Sequence, residues 1–241
     1  MNNSDTLNIY WSPGNFILDK DSWNMLYHEP KNILKELSEI RSPQAGTGSF
    51  LSCPAFKDKF KNVFSFNNIF DSEYSYDEAI TNNIGDTSIG FYSQRDPSIT
   101  TGPTLVYNMS WIFFSEEPVD CFFTSPYFHK AEYMSSGAMV PGKFNIGLWF
   151  RPFNIEIQMY DSSGHIKFNK DEPLFYMDVN TDKKINFIRF NMNDRLYHMS
   201  QEAIQSPARY KRFMSLKERY GIFKNSNMRE MVLNEIKKEV I

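Results

Sequence analysis

The sequence predicts a mainly β fold: a cupin-like or jelly-roll antiparallel barrel or sandwich, with an N-terminal helix and two or three C-terminal helices. Three observations lead to this prediction. Apolar and polar residues alternate through residues 140–190, with turn residues between the runs, and a period of two places apolar side chains on one sheet face. Aromatic residues make up 16% of the chain, which is typical of half-buried sheets. Apolar residues with the spacing of a helix occur only near the two ends of the chain.

The alternating runs, taken in chain order, define the predicted strands. A short opening strand covers residues 7–11. Further strands are expected at residues 88–93, 104–114 and 119–124. Within the alternating segment 140–190, strands are expected at 144–150, 155–159, 166–168, 174–179 and 185–190. The segment 107–114 alternates and then becomes wholly apolar, which indicates a strand buried on both faces.

Four segments have the spacing of helices. Residues 31–40 place Ile33, Leu34, Leu37 and Ile40 on one side, and Pro30 precedes them. Residues 194–205, 207–220 and 227–240 predict C-terminal helices, with Gly221 as the residue past the end of the second. The predicted organisation is therefore an N-terminal strand, helix and loops (1–84), a core β-barrel (85–192) and a basic helical tail (193–241).

Charge is unevenly distributed along the chain. The net charge of the 241 residues is -3, but residues 205–241 hold nine Lys and Arg against four Glu, so the tail carries +5 and the remainder -8. The net charge of the whole chain excludes a generally basic nucleic-acid binder. The tail is interpreted as a solvated helix face whose aromatic residues pack on the body; contact with phosphates, or docking on an acidic face or a partner chain, are the alternatives.

Cysteine usage and hydropathy predict the compartment. Cys53 and Cys121 lie far apart with no CxxC spacing, which argues against a disulfide-rich secreted scaffold and a structural zinc site. The N-terminus lacks a signal-peptide pattern, and no run approaches the roughly 18 apolar residues that span a bilayer. We therefore expect a cytoplasmic protein without membrane contact.

Two segments resemble a family of uncharacterised bacterial and phage proteins: TSPYFHKAEYMSSGAMVPGKFNIGLWFRPFNIEIQ and IKFNKDEPLFYM. In that family a proline-rich loop precedes a strand with a tryptophan, and a Glu-Pro turn introduces a later strand; here these are Pro126, Trp149 and Glu172-Pro173, with Phe168 before the turn. The resemblance covers about residues 85–190 and implies a cupin-like barrel, not an activity. The Asn, Lys and aromatic bias also resembles marine or T4-like phage proteins, which would place the protein in the host cytoplasm or the virion.

Trp149 and Arg151 are the strongest candidates for ligand binding. On a strand they would point to the same face, where an indole beside a guanidinium can stack on a flat ligand or clamp a carboxylate. The alternative is a core tryptophan with an edge arginine satisfied by Glu116 or Glu156. Arg189 is a further candidate, as an internal strand charge that needs a partner; a solvent-facing arginine is the simpler interpretation.

Histidines are too few for a clear metal site. Only His28, His129, His165 and His198 occur, and the His-x-Asp/Glu signature of iron oxygenases is absent. A trio of His129, Glu132 and His198 is the one imaginable set, and separate surface residues are the alternative. The sequence identifies no catalytic residue, no metal site and no cofactor, and it leaves enzymatic activity open.

Three functions follow as hypotheses. The first is a non-enzymatic protein that binds a small molecule or peptide in the barrel mouth around Trp149, Arg151 and His129, with Arg189 as a further contact. The second is a viral structural or assembly component, a homo-oligomer or partner-binding chain that uses the basic tail. The third is a non-haem iron oxygenase of the 2-oxo-acid type with a degenerate metal site.

Overall fold

The protein is mainly β, and its sheets are largely antiparallel. The computed structural model describes residues 5–14, 26–40, 49–76, 89–92, 102–161, 165–205 and 215–241. The strands are β1 (Thr6–Pro13), β2 (Lys31–Asn32), β3 (Val63–Asn67), β4 (Ser72–Ser75), β5 (Ile89–Tyr92), β6 (Thr104–Ser115), β7 (Asp120–Thr124), β8 (Gly137–Met139), β9 (Gly142–Asn145), β10 (Pro152–Met159), β11 (His165–Phe168), β12 (Pro173–Val179) and β13 (Lys184–Arg189). The helices are α1 (Ile33–Ile40), α2 (Pro54–Phe60), α3 (Asp194–Gln205), α4 (Leu216–Asn225) and α5 (Met228–Lys238).

Two sheets contain most of these strands. Sheet 1 has the order β13-β1-β6-β10-β8, with β5 paired to the start of β6. Sheet 2 has the order β2-β3-β12-β7-β9, and β4 pairs with β11 in a separate ribbon. β1 runs parallel to β13 and antiparallel to β6, so the first strand of the chain is an inner strand of sheet 1.

Aromatic side chains fill the space between the two sheets. Phe66 and Phe175 of sheet 2 stack with ring centroids 4.8 Å apart, and Trp111 of sheet 1 meets Phe175 edge-on at 5.1 Å. Trp11, Phe113 and Phe123 are buried in the same cluster. The sheets therefore face each other across a shared core. The expected closed barrel is wrong for the described strands, which form open sheets ending at β13 and β8 and at β2 and β9.

Helices cover the outer faces of both sheets. Ile112 and Phe114 point away from the shared core and pack with Phe223 of α4 and Ile236 of α5. On sheet 2, Val63 and Tyr176 pack with Ile33 of α1 and Phe60 of α2. β6 is thus buried on both faces, as its apolar run predicts. None of the helices in the described ranges is long and apolar enough to cross a bilayer.

Two predicted elements differ from those observed. Residues 144–150 do not form one strand, since β9 ends at Asn145 and β10 starts at Pro152. The helix expected at 207–220 overlaps residues 206–214, which lie outside the described ranges. α4 begins at Leu216, where Ser215 and Glu218 form a reciprocal capping box. It continues through Gly221, which is inside the helix and does not end it.

Candidate functional site

Residues 146–151 cross from β9, an edge strand of sheet 2, to β10 of sheet 1. The backbone N–H of Ile146 donates to the carbonyl of Val119 at 3.1 Å. At Gly147 an added Cβ would lie 2.3 Å from the carbonyl oxygen of Glu117, so only glycine allows this close approach. The crossover therefore presses against the turn after β6, and it carries Trp149 and Arg151 to the gap between the sheets.

A cleft of about 230 Å³ opens between the sheets beside this crossover. We call it the cleft. Aromatic rings from β6, β7, β9 and β10 form its inner wall: Phe113, Phe123, Phe144 and Phe153. Phe123 and Phe153 stack with centroids 4.1 Å apart. Trp149, Arg151 and Glu156 are among the polar or amphipathic residues that complete the lining.

Trp149 stands between an aromatic ring and a guanidinium. Its ring stacks on Tyr220 of α4, with centroids 4.4 Å apart, and the Cζ of Arg151 lies 5.5 Å from the indole centroid. Trp149 is only 5% exposed, and its Nε1–H finds no hydrogen-bond acceptor among the described residues. A buried N–H without an acceptor is costly, so this donor is unsatisfied among the described residues.

Arg151 brings a positive charge to the cleft and forms no ion pair within the described ranges, although the charge of Glu156 acts on it. Burial is the main influence on this half-buried guanidinium and lowers its pKa from the usual value, yet an arginine side chain stays charged at neutral pH. Its Nε donates weakly to the carbonyl of Pro152 at 3.5 Å. No carboxylate of the described residues forms an ion pair with it: Glu116 bonds instead with Tyr10, and Glu156 lies beyond ion-pair distance although it lines the same cleft.

His129 lies elsewhere, on the outer side of sheet 2. Its Nδ1 is hydrogen-bonded to the hydroxyl of Tyr176 on β12, and its Nε2 lies 3.5 Å from the Oε2 of Glu36 on α1. The hydroxyl of Ser65 donates to the same carboxylate oxygen at 3.1 Å. The structure therefore does not bring His129 to Trp149 and Arg151. It places His129 in a polar cluster that joins α1 to sheet 2.

Arg189 also lies away from the cleft, on the edge strand β13. Its guanidinium stacks over Trp11 with Cζ 4.8 Å from the ring centroid, and its Nη1 donates to the carbonyl of Tyr27 at 3.0 Å. Arg189 therefore has protein partners for its charge and for its Nη1 donor.

No group of three or more His, Cys, Asp or Glu side chains in the described part of the chain is arranged to hold a metal ion. His28 and His165 each pair with one carboxylate, of Asp171 and Glu73 respectively. His198 is exposed on α3, so the trio with His129 and Glu132 is not assembled.

The C-terminal tail packs on the protein's own body. The Nε of Arg229 donates to the carbonyl of Gly147 at 3.0 Å and its Nη2 to the carbonyl of Glu116. Lys237 pairs with the side chain of Glu116 at 3.1 Å. The tail therefore contacts the crossover at two points, through Arg229 at the carbonyl of Gly147 and through Tyr220 at the ring of Trp149. Tyr220 and the phenylalanine wall carry no sequence signal that separates them from ordinary core aromatics.

Comparison with protein-family models, curated proteins and solved structures finds no match for this chain.

Proposed function

We propose that the protein binds a small aromatic carboxylate in the cleft, either a free acid or the C-terminal aromatic residue of a peptide. The observation that supports this most directly is the Arg151 guanidinium, which lines an aromatic cleft without a carboxylate at ion-pair distance among the described residues. Partly buried charges are costly unless they are paired. A ligand carboxylate would supply the missing partner.

The remaining lining fits the other parts of such a ligand. The faces and edges of Phe144 and Phe153 offer stacked or edge-on contacts to a flat ring. The indole of Trp149 provides a further aromatic surface beside the guanidinium. A cleft with apolar walls and a few polar groups is the usual form of a small-molecule site.

Calorimetric titration with phenylacetate tests this proposal, with neutral phenylacetamide as the matched ligand. We expect phenylacetate to bind more tightly by about tenfold, since one charge-assisted hydrogen-bonded pair contributes about 1.5 to 3 kcal/mol. Arg151→Met, which keeps the length of the side chain, abolishes this preference. Lys167→Met removes an exposed cation on β11 and leaves it unchanged. A short peptide ending in Phe, tested beside its C-terminal amide, distinguishes the peptide source from the free acid.

Equal binding of acid and amide, or no binding of either the acid or the peptide, would contradict the proposal. So would an Arg151→Met variant that folds and still prefers the acid. Folding of each variant is checked by its thermal transition.

The other hypotheses have less support. Arg229 and Lys237 of the tail contact the body, and His129 contacts Glu36 and Tyr176; these contacts do not require an assembly partner or an iron. A jelly-roll or cupin-like topology and a phage or bacterial origin stay predictions.

A further inference from the structure

A second depression lies on the outer face of sheet 2, where α2 stops short of the end of the sheet. We call it the outer groove; its volume is about 620 Å³, and its lining includes Lys59, Phe122, Tyr127, Asp178 and Asn180. Phe122 is 39% exposed and Tyr127 is 51% exposed. Both rings are therefore partly accessible from the outer groove. This groove is on the opposite side of β7 from the cleft.

Polar groups flank the Phe122 ring on both sides. In sheet 2, Phe122 is the cross-strand partner of Asp178 on β12 and of Lys143 on β9. Lys59 of α2 pairs with Asp178. The ammonium of Lys143 lies over the Phe122 ring, 5.3 Å from its centroid, and pairs with Asp120 at 2.7 Å. A ligand that packs on the exposed part of the Phe122 ring therefore meets this ammonium and the Lys59–Asp178 pair as hydrogen-bonding groups.

The charges of the outer groove nearly cancel. Its lining contains two lysines, Lys59 and Lys61, and three aspartates, Asp58, Asp178 and Asp182. A groove for single-stranded nucleic acid needs an excess of positive charge along the backbone path. The groove also lies on the face of the sheet, so an extended peptide could not pair with a strand edge there. The ligand of the outer groove must therefore match exposed aromatic rings, a mixture of hydrogen-bond donors and acceptors, and a near-zero net charge.

A neutral sugar has these properties. A pyranose ring presents an apolar face of C–H groups, which packs on an aromatic face, while its hydroxyls both donate and accept hydrogen bonds. We propose that the outer groove is a carbohydrate-binding site for a neutral oligosaccharide. Phe122 and Tyr127 are the stacking platforms, and Lys59, Asp178 and Asn180 take the hydroxyls. This site is independent of the cleft and of its ligand.

The test is a titration of the full chain with neutral hexasaccharides of β-1,4-glucan, β-1,3-glucan, chitin, mannan and xylan, followed by calorimetry and backbone NMR. We expect saturable binding of at least one sugar, with shifts at β7 and β12. Phe122→Leu, which keeps apolar volume but removes the ring, weakens binding by about tenfold, as the loss of one stacking contact does. Tyr127→Ala acts in the same direction. Phe50→Ala, at a ring that is 70% exposed but outside the groove, leaves the affinity within about twofold.

Salt dependence separates this ligand class from anionic ones. The affinity stays constant between about 50 and about 500 mM salt, because a neutral ligand is not screened. No binding of any of the five sugars overturns the proposal. Binding that survives both Phe122→Leu and Tyr127→Ala, or tighter and salt-sensitive binding of an oligodeoxythymidylate that the same two variants weaken, overturns it as well.

Discussion

The indole of Trp149 stacks on the ring of Tyr220, with centroids 4.4 Å apart and ring planes inclined by 24°. Trp149 belongs to the crossover between the sheets, and Tyr220 belongs to α4. The contact therefore links the wall of the cleft to the C-terminal helices. Because Arg151 lies over the same indole, the position of the guanidinium also depends on this support.

Replacing Tyr220 tests the stack. Tyr220→Leu keeps most of the apolar contact but removes the aromatic pair, and we expect the free energy of unfolding to fall by about 1 kcal/mol. Tyr220→Phe keeps the pair and is expected to change it by less than about 0.5 kcal/mol. Urea denaturation measures both. Equal losses in the two variants would show that the ring stack is not what holds α4 against Trp149.

Arg229 connects α5 to three carbonyl groups of the body, those of Gly147, Ser115 and Glu116. Arg229→Ala leaves the carbonyls of Gly147 and Glu116 without this donor, and we expect a loss of about 2 kcal/mol in the free energy of unfolding, since hydrogen bonds from charged donors are the stronger kind. Lys224→Ala, at an exposed position on α4, is the control, with a change below about 0.5 kcal/mol. A similar small change at Arg229 would contradict its role in docking the tail.

The hydroxyl of Tyr176 links His129 to sheet 2. Burial is the main reason that the pKa of this phenol is raised, so the hydroxyl stays protonated and shares a hydrogen bond with Nδ1 of His129. Tyr176→Phe removes this hydrogen bond, and we expect a loss of about 1 to 2 kcal/mol in the free energy of unfolding. Tyr127→Phe removes a hydroxyl that has no hydrogen bond to the described residues and costs less than about 0.5 kcal/mol. If Tyr176→Phe left the free energy of unfolding unchanged, the polar cluster would not stabilise α1 on the sheet.

The lowered pKa of Glu116 leads us to expect that the stability of the protein depends on pH. Burial opposes its ionisation, but hydrogen bonds from Tyr10, Lys237 and Asn8 outweigh burial and hold the pKa of the carboxyl below its usual value of 4.5. A carboxyl with a lower pKa in the folded state contributes stability that is complete above the unfolded-state pKa and disappears as pH falls through the folded-state pKa.

Glu116→Gln is therefore expected to lower the free energy of unfolding by about 1 kcal/mol at neutral pH. The difference from the wild type shrinks as the pH falls below 4.5. Glu39→Gln, on the exposed side of α1, gives the control curve. A difference that stays constant from neutral to acid pH would rule out ionisation of Glu116 as its cause.

Much of the sheet architecture could be predicted from local pattern. Thr104–Ser115 forms β6 because its side chains alternate between two apolar layers. β3 was missed because its alternation covers only the five residues Val63–Asn67 and begins three residues after the helix α2 ends at Phe60. The closed barrel was wrong because alternation fixes which side chains share a face, whereas closure depends on register and tilt between strands distant in sequence.

The candidate site could be predicted only in part. Trp149 and Arg151 do lie together, but on a crossover and not on one strand. Pro152 starts β10 only after the chain has left sheet 2. Tyr220 could not have been connected to them, because its contact with Trp149 depends on how α4 packs across sheet 1. His129 and Arg189 were grouped with them by residue type alone, and each has other partners.

The most direct test of carboxylate binding in the cleft is the indole N–H resonance of Trp149 in a ¹H–¹⁵N NMR titration with phenylacetate. Trp149→Phe assigns this signal among the four tryptophans. We predict a saturable shift of the Trp149 indole resonance that disappears in Arg151→Met and with phenylacetamide. An indole resonance that stays in place at saturating phenylacetate, or that moves equally with the amide, would contradict the account.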